Sequence, residues 1–93
     1  MLDHIATKVL EVDLSTDAGS TITGPVVLMG IQVATALSAH SVLIKDNATT
    51  KMTIPASTAV GSINCYGLQF ATSLVITPNA SSTGTLWIYY KEV

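Results

Sequence analysis

The feature that most constrains this chain is a series of short runs rich in Val, Ile, Thr and Tyr, separated every several residues by turn-forming residues. Valine, isoleucine, threonine and tyrosine suit the pleated surface of a sheet, whereas glycine, proline, asparagine and aspartate interrupt it. The alanine-rich stretch at residues 32–40 is flanked by valines and serines and favours a loop over a helix. We therefore expect an all-β fold.

Three segments give the clearest strand patterns. Residues 7–14 and 85–91 alternate in the way expected of half-buried strands. Residues 26–33 form a nearly continuous apolar run, which predicts a central strand covered on both faces. Gly30 interrupts this run, and a glycine inside a strand usually marks a bulge, a bend or a close backbone approach.

The remaining segments complete an antiparallel arrangement. Residues 41–45 and 51–54 flank a run of turn formers and predict a hairpin that Pro55 ends. Further strands are predicted at residues 63–66 and 68–77. Seven or eight short strands without intervening helices indicate an antiparallel β-sandwich or a jelly-roll-like small barrel. We assign residues 1–6 to an N-terminal arm and residues 7–93 to a single β-sandwich domain.

The length and cysteine content limit how such a domain can be stabilised. A chain of 93 residues buries a modest core, and Cys65 is the only cysteine, so no internal disulfide can form. Cys65 lies in a predicted strand and is interpreted as a small buried apolar residue. No Cys/His spacing typical of a zinc site occurs, so we expect no metal and no cofactor. Oligomerisation is the expected source of further stability.

Composition also limits the partners. Hydrophobic residues make up 48% of the chain and charged residues 11%, well below the usual quarter or so, which indicates a surface partly covered by assembly. The chain has no arginine and its four lysines are scattered, so nucleic acid is not an expected partner. No apolar run is long enough to span a bilayer, so no membrane partner is expected.

The candidate catalytic and metal-binding residues are isolated. His4 and His40 lie in predicted terminal and loop segments without a nucleophile elbow nearby. Glu11 and Asp13 share one strand face, where paired acids can serve a metal ion or general acid–base chemistry, but a solvated face is the simpler interpretation. Residues 46–49 supply too few oxygen donors for a calcium loop. The sequence therefore predicts a protein that is not an enzyme.

The last predicted strand has large side chains on both faces. One face carries Leu86, Ile88 and Tyr90, and the other carries Trp87 and Tyr89. Either the strand is covered on both sides within one chain, or the second face meets another subunit, where amphipathic rings are favoured. On the second alternative, Trp87 and Tyr89 are candidate interface residues.

The N-terminal arm carries two apolar residues without a partner in its own segment, Leu2 and Ile5. A frayed terminus is the simpler interpretation. The alternative is that the arm becomes ordered on a neighbouring chain, for example by adding a strand to an exposed sheet edge. Leu2 and Ile5 are therefore also candidate interface residues.

The region from Gly30 to Tyr90 resembles the small all-β virion proteins of tailed bacteriophages, including the head decoration (cement) proteins. The resemblance is carried by Gly30-Ile31-Gln32-Val33, Ser41-Val42-Leu43-Ile44-Lys45-Asp46, Gly67-Leu68-Gln69-Phe70-Ala71-Thr72-Ser73-Leu74-Val75-Ile76 and Gly84-Thr85-Leu86-Trp87-Ile88-Tyr89-Tyr90.

This resemblance implies a β-sandwich without an active site, often a homotrimer, synthesised in the host cytoplasm and carried on the capsid exterior. The implied partner is the major capsid protein or another virion protein, and the implied role is to bind the assembled head lattice and stabilise it through many non-covalent contacts. The alternative is a receptor- or glycan-binding module of a phage fibre or spike, in which Trp87 or Tyr66 would stack on sugar rings.

Overall fold

The computed structural model describes residues 7–16 and 20–93, which form eight β-strands and no helix. The predicted all-β fold is therefore confirmed for this part of the chain. The strands are β1 Lys8–Asp13, β2 Ser20–Thr23, β3 Val26–Thr35, β4 Val42–Asp46, β5 Thr49–Ile54, β6 Gly61–Phe70, β7 Ser73–Thr77 and β8 Thr85–Glu92.

The strands form two four-stranded antiparallel sheets. Sheet A has the order β1-β8-β3-β6, and sheet B has the order β2-β7-β4-β5. The sheets pack face to face and do not close into a barrel, so the sandwich alternative is the correct one. Strands β1 and β6 form the edges of sheet A, which places β8 and β3 at its centre.

The core lies between the two inner faces. Alternate residues of each strand point into it because successive side chains in a strand lie on opposite sides of the sheet. Leu28 and Ile88 of sheet A and Ile44 and Leu74 of sheet B have no exposed surface. Phe70, the largest fully buried side chain, lies at the end of β6. Valine, leucine and isoleucine make up most of this core.

Strand β3 has the central position predicted for it, but the expected cover on both faces is wrong: its residues alternate between buried and half-buried, and Gly30 and Gln32 lie on the outer face. The predicted irregularity is present. The pairing of β3 with both β6 and β8 shifts register between Leu28 and Gly30. A Cβ atom on Gly30 would lie 3.1 Å from the carbonyl oxygen of Ile63 on the neighbouring strand, a close contact that favours glycine. The predicted bulge at Gly30 is therefore confirmed.

The predicted β4–β5 hairpin is also confirmed, with Val42 opposite Ile54 and Ile44 opposite Met52. β5 ends at Ile54, directly before Pro55, as predicted. The connecting turn is shorter than the predicted five residues and consists of Asn47 and Ala48.

Several strands differ from those predicted, and three of the differences affect the fold. β6 continues through Gly67 to Phe70, and the chain turns instead at Ala71 and Thr72. β2 was not predicted, since its short threonine-rich sequence has no apolar run. β1 ends at Asp13, although Leu14 still reaches the core, where it is 3% exposed and its backbone nitrogen donates a hydrogen bond to the Gly84 carbonyl oxygen at 2.9 Å.

A carboxylate from sheet B holds the turn between β6 and β7. The Asp46 side chain accepts hydrogen bonds from the backbone nitrogens of Ala71, Thr72 and Ser73, at 3.0, 3.0 and 3.2 Å. These donors, the Thr72 nitrogen foremost, lower the pKa of Asp46 below its usual value because they stabilise the charged carboxylate. Asp46 therefore has a structural role in the protein.

Candidate interaction surface

The outer face of sheet A carries two rows of side chains that continue across all four strands. The first row is Glu11, Trp87, Gln32 and Ser62, and the second is Val9, Tyr89, Gly30 and Asn64. These residues lie on the outer face because their strand neighbours, including Leu86, Ile88 and Ile31, are buried in the core. We call this surface the aromatic face.

Trp87 lies in the first row and retains 38% of its exposure. Its direct cross-strand neighbours are Glu11 on β1 and Gln32 on β3. The Ser62 hydroxyl donates a hydrogen bond of 2.7 Å to Oε1 of Gln32, which holds that amide beside the indole. The indole is therefore flanked by a carboxylate on one side and an amide on the other.

The second row contains a gap. Tyr89 lies between Val9, which is 50% exposed, and Gly30, which has no side chain. Asn64 lies on the far side of Gly30. Because neighbouring strands are about 4.8 Å apart, Tyr89 and Asn64 are separated by about 10 Å across this gap. Gly30 therefore places no side chain between the backbones of Tyr89 and Asn64.

A third aromatic residue protrudes from the edge of sheet A. Tyr66 on β6 is 86% exposed and has a φ of 54°, followed by Gly67 with a φ of 70°. The residues from Cys65 to Gly67 lie opposite a single residue of β3, so β6 bulges there. The Oδ1 atom of Asn64 accepts a hydrogen bond of 2.9 Å from the Tyr66 backbone nitrogen, which supports the bulge.

The predicted interface residues are placed as follows. Trp87 and Tyr89 lie on the same face of β8, as predicted from the alternation, and the described residues do not include a strand that packs on that face. Leu2 and Ile5 fall outside the described residues. The sequence did not indicate the contribution of Val9 and Gln32, because their proximity to the aromatic rings depends on the register between strands.

The acidic pair on β1 does not form a combined site. Glu11 is exposed beside Trp87, whereas Asp13 accepts hydrogen bonds from the hydroxyl and backbone nitrogen of Ser15, at 2.6 and 3.0 Å. These bonds, the hydroxyl bond foremost, lower the pKa of Asp13. Asp13 is therefore engaged in the turn that follows β1.

The other candidate residues are also dispersed. His40 lies in the loop before β4, and His4 falls outside the described residues. Within residues 7–16 and 20–93, no group of three His, Cys, Asp or Glu side chains is arranged to hold a metal ion. Cys65 is buried, as predicted, with Sγ 3.9 Å from Sδ of Met52, and burial raises the pKa of its thiol.

No protein-family model, curated protein or solved structure matches this chain. In the described part of the chain, no helix has the length and apolar character needed to cross a membrane.

Proposed function

We propose that this protein is a structural, non-catalytic binding module, a virion decoration protein that attaches to the assembled capsid lattice. The observation that carries the proposal is the aromatic face. Trp87 and Val9 are 38% and 50% exposed there, although Leu86 and Ile88 on the opposite face of the sheet are fully buried. Aromatic residues are enriched at the centres of protein interfaces, and charged residues are depleted there.

The composition supports the same proposal. A chain with only 11% charged residues exposes few charges, which is poorly suited to a free monomer and well suited to a protein that is covered in use. On a repeating lattice, several weak contacts give firm attachment when they belong to one oligomer, because the first contact raises the effective concentration for the next contact of the same oligomer. Such attachment requires no catalytic group. The proposed partner is the major capsid protein or another virion protein. We further propose that the protein is a homo-oligomer, and the resemblance favours a trimer.

The first experiment measures location and copy number. Quantitative mass spectrometry of purified particles, with a labelled standard of this protein, should give hundreds of copies per particle if the protein decorates the head. A few copies at an extremity would support a receptor-binding role instead. Particles that lack the protein would contradict both.

The second experiment measures attachment through the aromatic face. Trp87→Ala should reduce co-sedimentation with undecorated particles at least tenfold, because truncating a central aromatic anchor usually costs more than about 1.4 kcal/mol of binding. Thr53→Ala is the control, since Thr53 is exposed on β5, at the edge of the other sheet. Equal attachment of both variants would contradict the assignment of Trp87.

The flanking groups of Trp87 favour a second candidate, binding of a glycan. Sugar rings stack on an exposed aromatic plane, and their hydroxyls bond to groups such as the Glu11 carboxylate and the Gln32 amide. Glu11→Gln and Gln32→Ala would then weaken glycan binding, measured by calorimetry with neutral oligosaccharides found on a glycan array. Attachment to the capsid lattice would depend on Trp87 and much less on these two polar side chains.

A further inference from the structure

A cleft lies at the end of sheet A where β6 ends, β3 begins and residue 93 follows β8, close to Tyr66 on β6. It has a volume of about 200 Å³ and is lined by Pro25, Val26, Gln69, Phe70, Ala71 and Val93. All of these residues except Gln69 are apolar. A cavity of about 150 Å³ lined by apolar side chains is large enough for benzene, so this cleft can hold a phenol ring.

Tyr66 has the properties of the group that would fill such a cleft. Its side chain is 86% exposed, the largest value among the exposed large hydrophobic residues of the described chain. Its φ of 54° is unfavourable for a bulky residue. Glycine would occupy this position without strain, so a tyrosine there is best explained by a use for the protruding ring.

We propose that Tyr66 of one copy of this protein occupies the β6 cleft of a second copy. Tyr66 lies in the bulge opposite Met29 of β3, and the cleft residues Gln69 and Phe70 lie opposite Val27 and Val26, two and three positions farther along, about 7–10 Å at the usual rise per residue. A two-fold interface requires a surface that is complementary to itself. A protruding ring and a cleft that lie close together on one copy meet this requirement, because each copy donates its ring and receives the ring of its partner.

The local chemistry and backbone agree with a side-chain contact. The exposed Gln69 amide can hydrogen-bond the tyrosine hydroxyl while Pro25, Ala71 and Val93 offer exposed apolar surface to the ring. The bulge at Tyr66 and Gly67 interrupts the regular ladder of β6, so this edge is poorly suited to strand addition. The contact therefore depends mainly on the ring and much less on backbone pairing.

This inference goes beyond the proposed attachment to a capsid and does not depend on it. It concerns a different part of the molecule, and it is tested with purified protein alone. The two-fold contact also differs from the trimer that the resemblance implies, and the mass of the assembly distinguishes the two.

The test is sedimentation velocity over a concentration series from micromolar to millimolar. The unmodified protein should form a dimer, and Tyr66→Ala should weaken the dimer at least tenfold, as expected for the loss of an aromatic anchor. Tyr66→Phe keeps the ring and should retain most of the association. Ala71→Glu places a charge in the exposed wall of the cleft and should weaken the dimer even with Tyr66 intact. Val60→Ala should behave like the unmodified protein.

A second measurement separates use of the ring from general damage to the fold. At concentrations where every variant is monomeric, Tyr66→Gly should melt about 5 °C higher than Tyr66→Ala, because glycine relieves the positive φ. It should nevertheless dimerise no better than Tyr66→Ala. A monomer at all concentrations, a trimer, or a dimer that both Tyr66→Ala and Ala71→Glu leave unchanged would overturn the proposal.

Discussion

The packing of β8 leads to a quantitative prediction about Ile88. Its side chain has no exposed surface and lies between Leu10 of β1 and Ile31 of β3. Ile88→Val removes one carbon atom and should lower the free energy of unfolding by about 1 kcal/mol, the usual cost of this change in a core. Ile88→Ala removes three carbon atoms, so we expect a loss of about 2.4 kcal/mol from transfer alone and about 2–5 kcal/mol with the cavity included.

These losses are large for a chain of this size. At about 0.05–0.15 kcal/mol per residue, a domain of 93 residues has a total stability of about 5–14 kcal/mol. Ile88→Val should therefore lower the melting temperature by about 4–8 °C. Ile88→Ala should remove a substantial fraction of the free energy of unfolding. If that free energy is near 5 kcal/mol in the unmodified protein, the variant should be partly unfolded at room temperature.

The assay is urea denaturation followed by the fluorescence of Trp87, the only tryptophan in the chain, and by far-UV circular dichroism. The urea midpoint should be lower for Ile88→Val than for the unmodified protein and lower still for Ile88→Ala, while the slope of the free energy of unfolding against urea concentration stays constant. Val60→Ala, at an exposed position, should change the stability by less than about 0.5 kcal/mol. If Ile88→Ala is as mild as this control, the placement of β8 in the core is wrong.

Two further predictions concern the turns. Asp46→Asn should destabilise the protein at neutral pH, because a neutral amide is a weaker acceptor for the three backbone nitrogens. The folded pKa of Asp46 is lowered, so the stability that its carboxylate contributes is fully present above the unfolded pKa of about 3.9 and is lost as the pH falls through the folded pKa. Melting curves from pH 7 to pH 2 should therefore show that the difference in melting temperature between the unmodified protein and Asp46→Asn shrinks below about pH 4. A difference that stays constant over this range would contradict the role of Asp46. Gly84→Ala should cost about 1–3 kcal/mol in a urea titration, because Gly84 has a φ of 119° and a Cβ atom there would lie 3.0 Å from the Ala36 carbonyl oxygen. An unchanged urea midpoint would show that the loop before β8 can relax.

Strands with a clear local pattern were predictable from the sequence. The alternation in β8 places Leu86 and Ile88 on one face and Trp87 on the other, and the structure has the same arrangement. The hairpin of β4 and β5 was predictable because both strands and their turn lie within a few residues of one another. In such segments local periodicity and turn chemistry agree with the final fold.

The boundaries of β6 and β7 were not predictable in this way. Gly67 was interpreted as the end of a strand, but a glycine in a strand is equally compatible with a bulge. Pairing with β3, more than thirty residues earlier in the chain, keeps β6 continuous through Tyr66 and Gly67. The turn at Ala71 and Thr72 has no glycine or proline, and the Asp46 carboxylate holds it from another strand.

The sequence by itself determined the all-β class, the central place of β3 and the face on which Trp87 and Tyr89 lie, because these depend on side-chain alternation and on short-range turn signals. The tertiary structure alone decided which polar groups flank Trp87, since the register of β1, β8 and β3 brings Glu11 and Gln32 beside it. It also decided that Tyr66 protrudes close to an apolar cleft. The bulge that turns Tyr66 outwards exists only in the pairing of β6 with β3, so the sequence of β6 alone does not show it.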